Sequence, residues 1–141
     1  MLIGEYEHSI DAKGRIIFPV RLREDFGEKF IVTKGLEKCL YVYSVEEWQR
    51  LEDKIRALPM VQGMALQKFL VAPASLMETD KQGRILLPQK LREYAGLEKE
   101  AVVNGVQNRV EIWDPAEWDR YLDGSDEDFD EIFAKLAELG I

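Results

Sequence analysis

Residues 11–24 read Asp11-Ala12-Lys13-Gly14-Arg15-Ile16-Ile17-Phe18-Pro19-Val20-Arg21-Leu22-Arg23-Glu24, and residues 80–93 read Asp80-Lys81-Gln82-Gly83-Arg84-Ile85-Leu86-Leu87-Pro88-Gln89-Lys90-Leu91-Arg92-Glu93. At an offset of 69, eight of these fourteen positions are identical, and Ile17/Leu86, Phe18/Leu87 and Arg21/Lys90 exchange like for like. Further on the offset becomes 70, as one inserted loop residue explains. Gly35 then matches Gly105, Leu40 matches Val110, Val42 matches Ile112, and Glu47-Trp48 matches Glu117-Trp118. Self-similarity at a fixed period marks a structural repeat. The expected organisation is a first repeat over residues 4–58, a second over 72–122, and an acidic helical extension over 123–141.

The same plan is legible in each unit. An Asp opening a tetrapeptide can bond backbone two residues on, and a Gly closing it accepts positive φ. Asp11–Gly14 and Asp80–Gly83 therefore predict hairpin turns, most simply type I turns closed by a glycine bulge. Arg15–Phe18 and Arg84–Leu87 have strand propensity. Pro19 pre-sets φ for a short helix carrying Arg21, Leu22 and Arg23. Further strands are predicted at Gly4–Ile10, Phe30–Thr33, Cys39–Tyr43, Leu76–Thr79, Ala101–Asn104 and Arg109–Trp113. Ser44 caps a helix predicted over Val45–Leu58, with Glu47 at the capping-box position. Asp114-Pro115 starts the equivalent helix of the second unit. Pro73 argues against strand pairing ahead of the second motif.

A unit of about 50 residues buries too little surface to stand comfortably alone. Two copies with unpartnered strands are expected to interdigitate into a single pseudo-symmetric β-barrel with helices attached. The fold class is thus α+β, mainly β.

Composition excludes several classes. With 46% hydrophobic and 33% charged residues the chain reads as globular, and no apolar run approaches the roughly 18 residues of a membrane span. Met1–Glu7 carries neither a basic region nor a long apolar core, so no secretory signal is expected. One cysteine (Cys39) and one histidine (His8) argue against a disulfide framework or a zinc site and fit a reduced cytosol. No metal, cofactor or small-molecule substrate is expected, and no membrane partner. The formal charge of −8 lowers the expectation of nucleic-acid binding. Six of the nine residues from Asp123 to Glu131 are acidic, however. At a Debye length of about 10 Å in 0.1 M salt, a distant acidic segment does not cancel a local basic patch.

Asp, Gly and Pro of the repeated motif are accounted for by turn and helix-start chemistry. Arg15 and Arg84 are not. One reading makes them hairpin-stiffening ion-pair partners of Asp11 and Asp80, contributing about 0–1 kcal/mol. The other presents each arginine, steadied by its aspartate, from a two-stranded ribbon into the major groove, where bidentate pairing with guanine gives roughly 1–3 kcal/mol of discrimination. Chemistry alone leaves both open. Lys13 and Lys81, at the turn tips, suit phosphate contacts, while Arg21, Arg23, Lys90 and Arg92 read as a solvated helix face.

The doubled pattern Asp-x-x-Gly-Arg-Ile-x-x-Pro-x-x-Leu-Arg resembles the SpoVT-AbrB family of swapped-hairpin DNA-binding barrels, over nearly the whole chain from Gly4 to about Leu122. Two copies in one chain, each followed by strand, turn, strand and a Glu-Trp helix, are similar to bacterial regulators encoded at the head of the division and cell-wall gene cluster. The resemblance implies a cytoplasmic, nucleoid-associated, non-enzymatic regulator, a repressor, that binds direct repeats upstream of that cluster in double-stranded DNA as a ring-shaped homo-oligomer. It points to Arg15 foremost, with Lys13 beside it, and to Arg84 in the second copy as DNA-binding residues, and to Asp11 and Asp80 as positioning residues; the turn-tip place of Lys81 adds it to the DNA-binding set, and turn chemistry adds Gly14 and Gly83 to the positioning set. The alternative is an oligomeric protein-interaction barrel that does not bind DNA. An acid-pair enzyme built on Asp11 and Asp80 requires the two carboxylates close together with one pKa raised. Met60, Met64, Leu66, Phe69 and Leu70 suit a helix whose apolar residues pack in the core, the commoner case, or against another subunit, and Trp48, Trp113 and Trp118 read as core or interface rather than base-stacking platforms. Phe129, Ile132, Phe133 and Leu136 have helical spacing within the extension.

Overall fold

The computed structural model describes residues 1–124 and 129–140; Asp126, Glu127 and Asp128 of the acidic run lie outside them. In the first half, β1 (Leu2–Ser9), β2 (Arg15–Ile17), helix α1 (Val20–Arg23), β3 (Phe30–Lys34), β4 (Leu40–Ser44) and α2 (Val45–Arg56) follow one another. A linker of α3 (Met60–Leu66) running into a π-helical turn (Gln67–Val71) leads to the second half. There β5 (Ser75–Met77), β6 (Arg84–Leu86), α4 (Gln89–Ala95), β7 (Glu100–Gln107), β8 (Val110–Trp113) and α5 (Pro115–Leu122) repeat the order, and α6 (Phe129–Glu138) follows.

The fold is α+β with an antiparallel sheet. Six strands lie in the order β1-β7-β8-β4-β3-β5, and β2 pairs with β6 in a separate two-stranded ribbon. The order is palindromic between the halves. The first strand of each half joins the third strand of the other, β1 with β7 and β5 with β3, while β4 and β8 meet in the middle around Tyr41↔Glu111. In the ribbon Ile16 pairs with Ile85, flanked by Arg15↔Leu86 and Ile17↔Arg84. Neither half can be lifted out without leaving unpaired strands. Among the described residues the six-stranded ladder is open, with β1 and β5 at its edges; an Ile10↔Ile16 bridge connects it to the ribbon.

The sheet is covered on both faces. One face packs with the ribbon, α1 and α4 through Ile16, Ile85, Leu22 and Leu91, beside a cluster of Phe18, Phe26 and Phe30 with ring centroids 5.0–5.9 Å apart. The other carries Ile31, Cys39, Tyr41, Tyr43 and Trp113 under the helices, with Trp48 buried and Trp118 packed on Trp113 at 5.3 Å. The three tryptophans thus serve packing. Ser44 Oγ accepts from the Glu47 amide to cap α2, and Asp114 accepts from the Ala116 and Glu117 amides to cap α5, with Pro115 in the first turn.

Pro73 does not prevent pairing: β5 begins two residues later and pairs with β3 over three residues. The linker is partly core and partly surface. Leu70 is buried and its carbonyl accepts from Thr33 Oγ1 at 2.5 Å, whereas Met60 and Val61 are exposed. No described helix is long and apolar enough to cross a membrane.

Candidate nucleic-acid interface

The two motifs build the same hairpin almost atom for atom. In the first, the Gly14 amide donates to the Asp11 carbonyl at 2.9 Å and the Asp11 amide to the Arg15 carbonyl at 3.0 Å. In the second, Gly83 donates to Asp80 at 3.0 Å and Asp80 to Arg84 at 2.8 Å. Gly14 and Gly83 take φ of 88° and 77°, the left-handed region where a side chain is strained. The carbonyl of each of these glycines accepts from the opposite motif, Gly83 from the Phe18 amide at 2.9 Å and Gly14 from the Leu87 amide at 3.0 Å. The turns are therefore locked to each other as well as to themselves.

Each aspartate organises its turn through both oxygens. Asp11 Oδ1 accepts from the Lys13 and Arg15 amides at 3.0 and 2.8 Å, and Oδ2 from Arg15 Nε at 2.6 Å. Asp80 repeats this with the Gln82 and Arg84 amides at 2.9 Å each and Arg84 Nε at 2.9 Å. The backbone amide of the arginine is the largest cause holding each carboxyl below its ordinary pKa, with the arginine side chain adding to it. Both aspartates are thus fixed as carboxylates, the opposite of what a shared-proton acid pair requires. Arg84 also reaches across, its Nη1 3.9 Å from Asp11 Oδ2, toward the carboxylate of the opposite hairpin.

Two further arginines belong to this surface, and the expectation of a solvated helix face fails for them. Arg21 and Lys90 are exposed, but Arg23 and Arg92 are half-buried against the glycine turn of the opposite half. A Cβ on Gly14 would lie 2.7 Å from Arg92 Cζ, and one on Gly83 3.0 Å from Arg23 Nη2. Arg92 Nε donates to the Leu87 carbonyl at 3.0 Å, whereas Arg23 Nε is buried without a hydrogen-bond partner. Nothing local signals these contacts, because Gly83 and Arg23 lie 60 residues apart in sequence and Gly14 and Arg92 lie 78 apart; only the repetition of Leu-Arg after both prolines hinted at a shared role. Each glycine turn thereby has its own arginine and one from the opposite half, Arg15 and Arg92 at Asp11–Gly14 and Arg84 and Arg23 at Asp80–Gly83, with Lys13 and Lys81 in the turns themselves.

A second polar cluster lies away from the ribbon. Glu37, Cys39 and Glu111 bring ligand-type atoms within 4.8 Å of one another. Glu111 accepts from Trp113 Nε1 at 2.8 Å and pairs with Arg109 at 2.6 Å, and Glu37 accepts from Tyr41 at 3.0 Å. Burial, with the two carboxylates nearby, pushes the Cys39 thiol well above its ordinary range and keeps it protonated. These groups are committed to one another and form a buried structural network.

A pseudo-symmetric antiparallel fold with two interlocked Asp-x-x-Gly-Arg turns, each presenting an arginine from one ribbon, defines a class of paired-hairpin proteins. Within it, the family model described as "MraZ protein, putative antitoxin-like" matches residues 1–66 and 70–139. Proteins called transcriptional regulator MraZ are similar over the full length of both chains: 52% identical in Acetivibrio thermocellus, 50% in a Thermoanaerobacter species and 51% in Clostridium botulinum. The chain belongs to the MraZ family.

Proposed function

We propose that this chain is a sequence-specific DNA-binding transcriptional regulator, a repressor, whose β2/β6 ribbon enters the major groove. The observation that carries this reading is the pair of hairpin arginines, each oriented by an aspartate through backbone and side chain and joined at the tip by an arginine from the other half. Bidentate guanine recognition requires a guanidinium held in a fixed plane, and the Asp11–Arg15 and Asp80–Arg84 contacts provide that. Lys13 and Lys81 at the tips, with Arg23 and Arg92, supply phosphate contacts. Asp11, Gly14, Asp80 and Gly83 position the hairpins. Relatives of matching length named transcriptional regulators support the same reading.

In finer terms, the two SpoVT-AbrB repeats, 4–58 and 72–122, form one swapped-hairpin barrel, the sheet and ribbon together enclosing the core, with the 123–141 extension attached. The protein acts in the cytoplasm at the nucleoid as a homo-oligomeric ring, without enzymatic activity, cofactor or small-molecule substrate. It binds direct repeats upstream of the division and cell-wall gene cluster. Exposed Met60 and Val61 on α3 offer apolar surface for a neighbouring copy. The test is a mobility shift against the protein's own upstream region. Wild type is expected to bind, and folded Arg15→Ala to lose most of the binding. Equal affinity of the two proteins refutes the arginine assignment, and failure of wild type to bind refutes the DNA reading in favour of the protein-interaction barrel.

A further inference from the structure

The outward face of the ribbon holds four side chains, and only two of them are charged. Alternation along β2 and β6 sends Ile16 and Ile85 inward, each 1% exposed, and leaves Arg15, Ile17, Arg84 and Leu86 outward. Ile17 and Leu86 are 44% and 57% exposed. Cross-strand pairing sets Leu86 beside Arg15 and Ile17 beside Arg84, so arginine and aliphatic side chains occupy alternate corners of one small patch. A single exposed aliphatic residue on a protein surface needs no explanation. Here each half places one at the same step of the same strand, next to the arginine that the other half supplies.

We propose that Ile17 and Leu86 read the 5-methyl groups of thymines in the site whose guanines Arg15 and Arg84 contact. The inference rests on the DNA-binding reading above and names the base feature recognised beside each guanine. The thymine methyl is the one apolar group that a base pair displays in the major groove. The flanking guanidiniums draw a polyanion rather than an apolar protein surface onto this face, which selects DNA as the occupant. Residues two apart on a strand are spaced about 6.8 Å, close to two base-pair steps of roughly 3.4 Å each. Arg15 with Ile17, and Arg84 with Leu86, therefore address a guanine and a thymine about two base pairs apart.

The experiment replaces, one at a time, each thymine of a fluorescent duplex of the upstream region by deoxyuridine, which removes only the methyl, and each guanine by 7-deazaguanine. Full-length wild type, Ile17→Ala, Leu86→Ala and Arg15→Ala are titrated by anisotropy. Burying one methyl-sized group corresponds to about a fourfold change in affinity. Wild type is expected to lose about that much at particular thymines, each about two base pairs from a sensitive guanine. Ile17→Ala or Leu86→Ala is expected to bind the thymine duplex more weakly and to be indifferent to deoxyuridine at its position. Both side chains lie on the exposed face of the ribbon, so both variants are expected to fold. If wild type binds in an Arg15-dependent way but no deoxyuridine weakens it, or if the alanine variants keep the full deoxyuridine penalty, the methyl-reading inference falls while DNA binding stands. Absence of binding by wild type overturns both.

Discussion

At the scale of the residue, the hairpins are set by the balance of a carboxylate, an amide and a glycine. Asp11 and Asp80 are held below their ordinary pKa, first by the arginine backbone amide and then by its side chain. A carboxyl depressed in the folded state adds stability that is present at neutral pH, above the unfolded pKa, and is lost as pH falls through the folded value. The hairpins are therefore expected to stay ordered through mild acid and to loosen only below the ordinary aspartate range. Carboxyl-carbon NMR titration checks this. It also separates the two causes: Arg15→Ala leaves the backbone amide in place, so the Asp11 titration is expected to return only part of the way. Full return shows that the side chain dominates. The glycines give a second expectation. Alanine at either turn takes a left-handed conformation costing about 1–2 kcal/mol. Gly14→Ala is expected to be the costlier, because the Arg92 it would strike is tied to the Leu87 carbonyl, while Arg23 opposite Gly83 has no such bond at Nε. Urea denaturation of the two variants gives the order, and a costlier Gly83→Ala contradicts it.

At the scale of the element, the ribbon depends on one central pair. Ile16 and Ile85 face each other at its centre and are buried in the core beneath the sheet. Ile16→Ala or Ile85→Ala is expected to destabilise by about 2–5 kcal/mol, whereas Ile17→Ala, one residue along and largely exposed, is expected to fall within about 0.5 kcal/mol. Similar urea midpoints for Ile16→Ala and Ile17→Ala contradict the assignment of faces. This inside–outside alternation is also what the sequence reveals least directly, since Ile16, Ile17 and Phe18 are consecutive and all apolar. The turns were legible because Asp, Gly and Pro encode backbone geometry locally. The capped starts of α2 and α5 were legible from Ser44 and from Asp114-Pro115 for the same reason. The contacts of Arg23 and Arg92 were not, because each is made to a glycine of the other repeat. Nor was the Thr33–Leu70 bond, which ties a strand to a π-turn that no periodicity announces. Pro73 misled in the other direction: it blocks an amide at its own position and leaves Ser75–Met77 free to pair.

At the scale of the whole molecule, the proposed DNA binding requires a chain of net charge −8 to attract a polyanion. The fold answers by concentrating cations. Lys13, Arg15 and Arg92 gather at one turn and Lys81, Arg84 and Arg23 at the other, and screening weakens the effect of acidic charge farther away than about 10 Å. Affinity for the upstream duplex is expected to fall linearly with salt on logarithmic axes, at a slope of about −0.9 per neutralised phosphate. Lys13→Ala and Lys81→Ala are each expected to flatten that slope by about one, equally for specific and unrelated duplexes; Arg15→Ala is expected to erase the difference between those duplexes instead. An unchanged slope in both lysine variants removes the tips from the phosphate interface. Because one ribbon per chain covers so few bases, tight binding by the proposed homo-oligomer rests on linked contacts, which raise avidity by roughly 10²–10⁴ when the spacing permits simultaneous engagement. Cutting the duplex from several direct repeats to one is then expected to lower affinity by a factor in that range. Inserting half a helical turn between repeats is expected to do the same without altering any base that a ribbon touches. Equal affinity for single and multiple repeats shows instead that one ribbon binds alone.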